Sequence, residues 1–272
     1  MSPPLPPLGV AHFSCIETPP ADFVRMAAEA GFGLVGLRLH PAFPGAPFYS
    51  LPLGSPALRE TQQALRLSGL RVYDIEFVVI DENFEPSALS GVIETAAELG
   101  ARRLSVCGDD PDRERFVANL SALAEMAAAS GLGIDLEIMP WRRIGTLAAA
   151  VGAVQSTGMP NVGVLVDALH LARSGSSPAD LSGLPEGLVR SVQLCDARAE
   201  RPVDHAGLIA EARGGRLLPG QGTLPLTELV RIVPPDATLS VEVPKGPGPG
   251  REHLRALFET ASSVLEAARP TG

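Results

Sequence analysis

The chain is predicted to be an α/β protein folded as a single closed (β/α)8 barrel. Eight short segments rich in Val, Ile and Leu alternate with helix-patterned stretches along its whole length. Those segments are continuously apolar rather than alternating, as parallel strands buried on both faces should be. Gly31, Gly69, Gly100, Gly131 and Gly158 each close a helix pattern, and they fall 38, 31, 31 and 27 residues apart, the size of one βα unit. Glycine suits the left-handed position that ends a helix. At 272 residues the chain matches the length of one such barrel, typically about 250 residues.

In chain order, the strands are expected at 10–15, 34–39, 71–79, 102–107, 134–138, 162–167, 190–195 and 238–243. Helices are expected at 21–30, 56–68, 87–99, 112–130 and 144–157. Asp109, Asp110 and Asp112 should turn the chain and cap the fourth helix, where an acid meets the positive helix end. After Asp167 the pattern permits only a short turn. A long insert, 197–223, separates the last two strands, and it would lie at the face where barrel enzymes do chemistry. The glycine- and proline-rich run from Gly246 to Gly250 is expected to be a stiff loop. Residues 1–8 form a Pro-rich lead-in to one domain spanning 1–272.

Composition narrows the function. A formal net charge of −9 argues against nucleic-acid and anionic-membrane partners, which need a basic face. No apolar run is long enough for a bilayer, and the N-terminus has no secretion signal, so the expected location is cytoplasmic. Cys15, Cys107 and Cys195 lie in strand-like segments without metal-ligand spacing and suit buried thiols in a reducing compartment.

Four apolar strands of the second half each carry a polar side chain near the C-terminal end: Glu137, Asp167, Gln193 and Glu242. A charge in a buried strand is costly unless it is paired or binds a metal. Four such positions on four strands suggest one shared site. Ile134, Leu136 and Ile138 share a strand face, which leaves Asp135 and Glu137 on the other. Asp167 could also cap the following turn. His170, three residues on, could bond a substrate oxygen or orient a ligand. His12, Arg38 and His40 end the first two strands, and Asp74 and Glu76 lie in the third. Arg38 or Arg216 could clamp a carboxylate or phosphate.

These residues resemble the sugar phosphate isomerase/epimerase superfamily, the xylose-isomerase-like TIM barrels that include ketose 3-epimerases, inosose dehydratases and isomerases, and 3-dehydroshikimate dehydratases. The resemblance covers nearly the whole chain. It implies one divalent metal held by Glu137, Asp167, Gln193 and Glu242. The family's Asp-x-x-His pattern matches Asp167 and His170. Its Arg-x-x-Pro-Gly-x-Gly segment matches Arg216 to Gly222, and its strand-seven pattern matches Gln193 and Asp196. Most relatives have histidine where Gln193 stands. An amide oxygen there favours Mn²⁺ or Mg²⁺ over Co²⁺ or Zn²⁺.

The resemblance implies an isomerase or epimerase of a small keto-sugar or polyhydroxy ketone. Glu137 and Glu242 would be its acid/base pair, His170 a further catalytic candidate, and Arg216, Arg38, His40 and His12 the substrate contacts. The nearest rival is a dehydratase, in which the same enolate expels a β-hydroxyl. A third reading is a sugar-binding barrel weakened in turnover, supported by Gln193. A zinc endonuclease barrel is disfavoured by the acidic charge and by only five histidines. Barrels of this kind often form dimers or tetramers, so a homo-oligomer is compatible with the resemblance.

Overall fold

A computed structural model describes residues 6–246 and 250–269. The expectations placed on residues 1–5 and on 247–249 lie outside the described residues. Eight parallel strands pair in sequence order: β1 (Gly9–Val10), β2 (Leu34–Arg38), β3 (Arg71–Ile80), β4 (Arg103–Gly108), β5 (Gly133–Glu137), β6 (Val162–Asp167), β7 (Val189–Leu194) and β8 (Thr238–Val241). β1 also pairs with β8, which closes the barrel. The surrounding helices are α1 (Pro20–Ala30), α2 (Pro56–Ser68), α3 (Ser90–Glu98), α4 (Arg113–Ala129), α5 (Leu147–Thr157), α6 (Ala168–Arg173), α7 (His205–Ala210), α8 (Leu226–Ile232) and α9 (Gly250–Ala268).

Local chemistry sets these boundaries. The side chains of Ser55, Asp112, Thr146, Asp167 and Asp204 each accept a backbone N–H in the first turn of α2, α4, α5, α6 and α7. The five predicted closing glycines all have positive φ, from 63° at Gly158 to 107° at Gly31, a region open to glycine at little cost.

Two strand expectations are corrected. β1 is two residues long, not six, because the chain turns away at His12–Cys15 in a 3₁₀ turn. There the N–H groups of His12 and Phe13 bond to the Glu76 carboxylate on β3 instead of to a neighbouring strand. β8 ends at Val241, so Glu242 lies one residue past it, although its N–H still reaches the Leu194 carbonyl at 3.0 Å. The 197–223 insert is ordered. It contains α7 and a wider π turn, Glu211–Gly215, fastened where Arg173 meets Glu211 at 2.7 Å. Leu217 then bridges back to Asp196.

Ile134, Leu136, Val164, Val166, Val192 and Leu194 are buried in the apolar core. Alternate positions of β3, β4, β5 and β7 hold polar groups. Ser191 donates to Asp135 at 2.7 Å and Ser105 to Asp74 at 2.9 Å, while Arg103 pairs with Asp135. This polar layer lies along the strands on the N-terminal side of the site residues. Among the described residues no helix is long and apolar enough to cross a membrane.

Candidate active site

A cavity of about 200 Å³ is lined by residues from the C-terminal strand ends and the loops beyond them. Its polar lining is Arg38, Glu137, Arg142, His170, Arg213, Arg216 and Glu242, and Phe13, Phe77, Met139 and Trp141 form much of its apolar wall. Two loops also line it. One follows β2 and brings Phe43; the other is the π turn, which brings Arg213. The Arg213 guanidinium lies 4.2 Å from the Phe43 ring centre, so the two loops meet.

Arg216 organises the acids. One guanidinium nitrogen donates to Asp167 at 2.5 Å and to the Glu242 carbonyl at 3.1 Å. The other lies 3.0 Å from Glu242 Oε2 and 3.5 Å from His170 Nε2. The backbone behind it is pinned by Asp196, whose carboxylate accepts the N–H groups of Ala197, Gly220 and Leu224 at 2.8–3.0 Å. Two buried carboxylates, Asp167 and Glu242, thus share one guanidinium, and Glu137 feels its charge from further off.

The imbalance shows in their acidities. Burial, then the charges of Glu242 and Asp167, pushes Glu137 well above the usual carboxylate range. Burial also lifts Glu242 to about 7 against the pull of Arg216. Burial opposes the Asp167 anion too, yet Arg216, His170 and the His170 N–H hold its carboxyl below its ordinary value. Burial lowers His170 to about 4, which keeps the ring neutral. Trp141 meets that ring edge-on at 5.0 Å.

The donor set fits a divalent cation. Glu137, Asp167 and His170 offer ligand atoms that all lie within 4.8 Å of one another. Gln193 stands beside Asp167 in register on β7. Its Oε1 is buried without a partner among the described residues, and its amide nitrogen lies 3.5 Å from Glu242 Oε1. An orphaned acceptor beside carboxyls that burial keeps from ionising is what a hard cation would satisfy. Of the four expected ligands, Glu137 and Asp167 fall in the compact group with His170, Gln193 stands beside Asp167, and Arg216 engages both Asp167 and Glu242.

The expected substrate contacts separate. Arg38 and Arg216 line the cavity. His12 is not among its lining residues. Its Nδ1 accepts the Arg38 N–H at 3.2 Å, so the proton sits on Nε2, which donates to the Thr18 carbonyl at 2.8 Å. Burial drives its pKa to about 4, and with both nitrogens engaged it has none left for a ligand. His40 is also absent from the lining, and its Nδ1 lies 3.0 Å from the Pro41 carbonyl. Sequence reasoning missed Trp141, Arg142 and Arg213, which line the cavity. The only tryptophan, four residues after Glu137, was the readable signal.

A family model described as xylose isomerase-like TIM barrel matches residues 24–261. The chain belongs to that family. Two curated relatives of this xylose isomerase-like barrel are 3-dehydroshikimate dehydratases. That of Pseudomonas putida is 28% identical over 133 residues, 47% of this chain, and that of Pseudomonas aeruginosa is 31% identical over 131 residues, 46% of this chain. Each match spans only 20% of the relative. Among solved structures, a xylose isomerase-like TIM barrel/4-hydroxyphenylpyruvate dioxygenase fusion protein superposes with a TM-score of 0.82 at 20% identity, covering 97% of this chain and 44% of that one. The IOLI protein with a binding zinc atom superposes with a TM-score of 0.79 at 17% identity, covering 98% of this chain and all of that one. The two structures share the fold.

Proposed function

We propose that this barrel is a divalent-metal-dependent lyase that dehydrates a small, anionic polyhydroxy ketone of the 3-dehydroshikimate class. One observation carries the reading: in a chain of net charge −9, Arg38, Arg142, Arg213 and Arg216 line a cavity that also holds Glu137 and Glu242. A neutral sugar needs no such lining, whereas a substrate carboxylate matches it. The two curated relatives, themselves 3-dehydroshikimate dehydratases, point the same way.

Glu137, Asp167, Gln193 and Glu242, with His170 beside them, would hold the ion. Three carboxylates and an amide oxygen suit Mn²⁺ or Mg²⁺. When bound, the ion supplies polarisation of the substrate carbonyl. Glu137 takes the proton from the carbon next to that carbonyl, and the electron pair forms an enolate. The enolate then expels the β-hydroxyl, which leaves as water with a proton from Glu242, whose carboxyl burial lifts to about 7. The arginines hold the carboxylate and fix the ring, and the aromatic wall limits water. Isomerisation is the second reading, favoured by Glu137 and Glu242 lining the same cavity, where either could return the proton.

The test is metal-loaded protein incubated with 3-dehydroshikimate and, separately, with neutral keto-sugars in heavy water. Growth of an aromatic absorbance with dehydroshikimate supports the lyase. Deuterium exchange into a keto-sugar without loss of water would replace it with the isomerase.

A further inference from the structure

We propose that Glu76 is a positioning residue for substrate recognition, setting the cavity-facing edge of Arg38 and the Phe13 ring beneath it through one buried carboxylate. Glu76 lies on β3 and is 2% exposed. Its Oε1 accepts the N–H of His12. Its Oε2 accepts the N–H of Phe13 at 3.2 Å and an Arg38 guanidinium nitrogen at 3.1 Å. A simple counter-ion for Arg38 would have no need of two backbone amides. Here one side chain ties the turn after β1 to the end of β2.

Those groups reach the cavity. The Arg38 guanidinium lies 4.6 Å from the Phe13 ring centre and 5.2 Å from that of Phe77, and all three residues line the cavity. Arg38 Nε is buried with no partner among the described residues. Further fixing comes from His12, whose Nδ1 accepts the Arg38 N–H while Nε2 holds the Thr18 carbonyl. Gly36 leaves the room, since a Cβ there would fall 2.7 Å from Glu76 Oε1.

Glu76→Gln isolates the effect. Glutamine keeps the volume but offers one acceptor oxygen, and its NH₂ would face donors that expect an acceptor. Arg38 and Phe13 should then shift together while the barrel stays folded. The affinity arm rests on the proposed dehydratase reading; the crystallographic arm does not.

The experiment compares crystal structures of the wild type and Glu76→Gln, and their kinetics with 3-dehydroshikimate. The guanidinium of Arg38 is expected to move by about 1 Å or more, with KM rising about tenfold and kcat within about threefold. In an Arg38→Ala background, adding Glu76→Gln should change KM by clearly less than the roughly tenfold seen with Arg38 present, leaving only the part carried through Phe13. An Arg38 that keeps its place in Glu76→Gln, or effects that simply multiply, would overturn the proposal. Wild-type protein inert to 3-dehydroshikimate would instead remove the dehydratase reading, leaving the crystal structures to decide for Glu76. Should Glu76→Gln fail to fold, Glu76→Asp keeps both oxygens on a shorter arm, and the same shift of Arg38 is expected.

Discussion

Replacing Arg216 by methionine exposes the charge balance on which the site depends. Its side chain is 2% exposed and bonds Asp167, Glu242 and two backbone carbonyls. Methionine fills much of the volume but leaves Asp167 without its ion-pair partner and Glu137 and Glu242 with only the more distant Arg38. Breaking a buried pair by removing one partner costs about 3–5 kcal/mol. For a chain of this size that corresponds to a melting point lowered by about 6–15 °C. A divalent cation should then return more to the variant than to the wild type, where Arg216 competes for two of the carboxylates. At about one hundred times its dissociation constant, an ion binding only the native state contributes about 2.7 kcal/mol. The assay is thermal melting of both proteins in chelator and across a Mn²⁺ titration. A variant that melts within about 2 °C of the wild type in chelator, or that gains no more from Mn²⁺, would refute the reasoning.

Three further outcomes follow from the same geometry. Glu137→Gln keeps the shape but removes the base, so turnover of the true substrate should fall by about 10²–10⁴ with the fold intact by circular dichroism; near-normal turnover would clear Glu137 of that role. Glu242 titrates near its ordinary 4.5 when unfolded and near 7 when buried. Its contribution to stability is therefore complete below pH 4.5 and lost as pH rises through about 7. In chelator the melting point should decline over that window, and Glu242→Gln should flatten the decline. Burial raises Cys15 to about 11, Cys107 to about 12 and Cys195 further still. An aromatic disulfide reagent should accordingly find all three thiols unreactive in the native protein and titratable once it is unfolded.

Much of this was legible in the sequence because the strands of the second half are continuously apolar apart from their functional residues. Asp135 and Glu137 alternate with Ile134 and Leu136, and that period of two puts both acids on one strand face, which the bond from Ser191 on β7 to Asp135 on β5 shows to look into the barrel. Asp167 shows how two readings coexist, since it caps α6 through the His170 N–H at 2.9 Å while its other oxygen meets Arg216. The failures have a common origin in long-range bonds. β1 is cut short by Glu76, a residue 64 positions away from His12 in the chain. His12 stands away from the cavity lining for a related reason, as both ring nitrogens bond backbone groups that no local pattern reveals. Nor does spacing tell that Arg216 will stand among the acids, although the Arg-x-x-Pro-Gly-x-Gly run marked it as important.

The π turn at Glu211–Gly215 carries a vulnerability. Its wider loop holds one residue more than an ordinary helical turn would. Deleting Gly214 would let the helix wind normally and swing everything after it by about 100°. Arg216 would then be aimed away from Asp167 and Glu242. A single in-frame codon loss, far from every strand, would therefore disarm the barrel while leaving its scaffold whole.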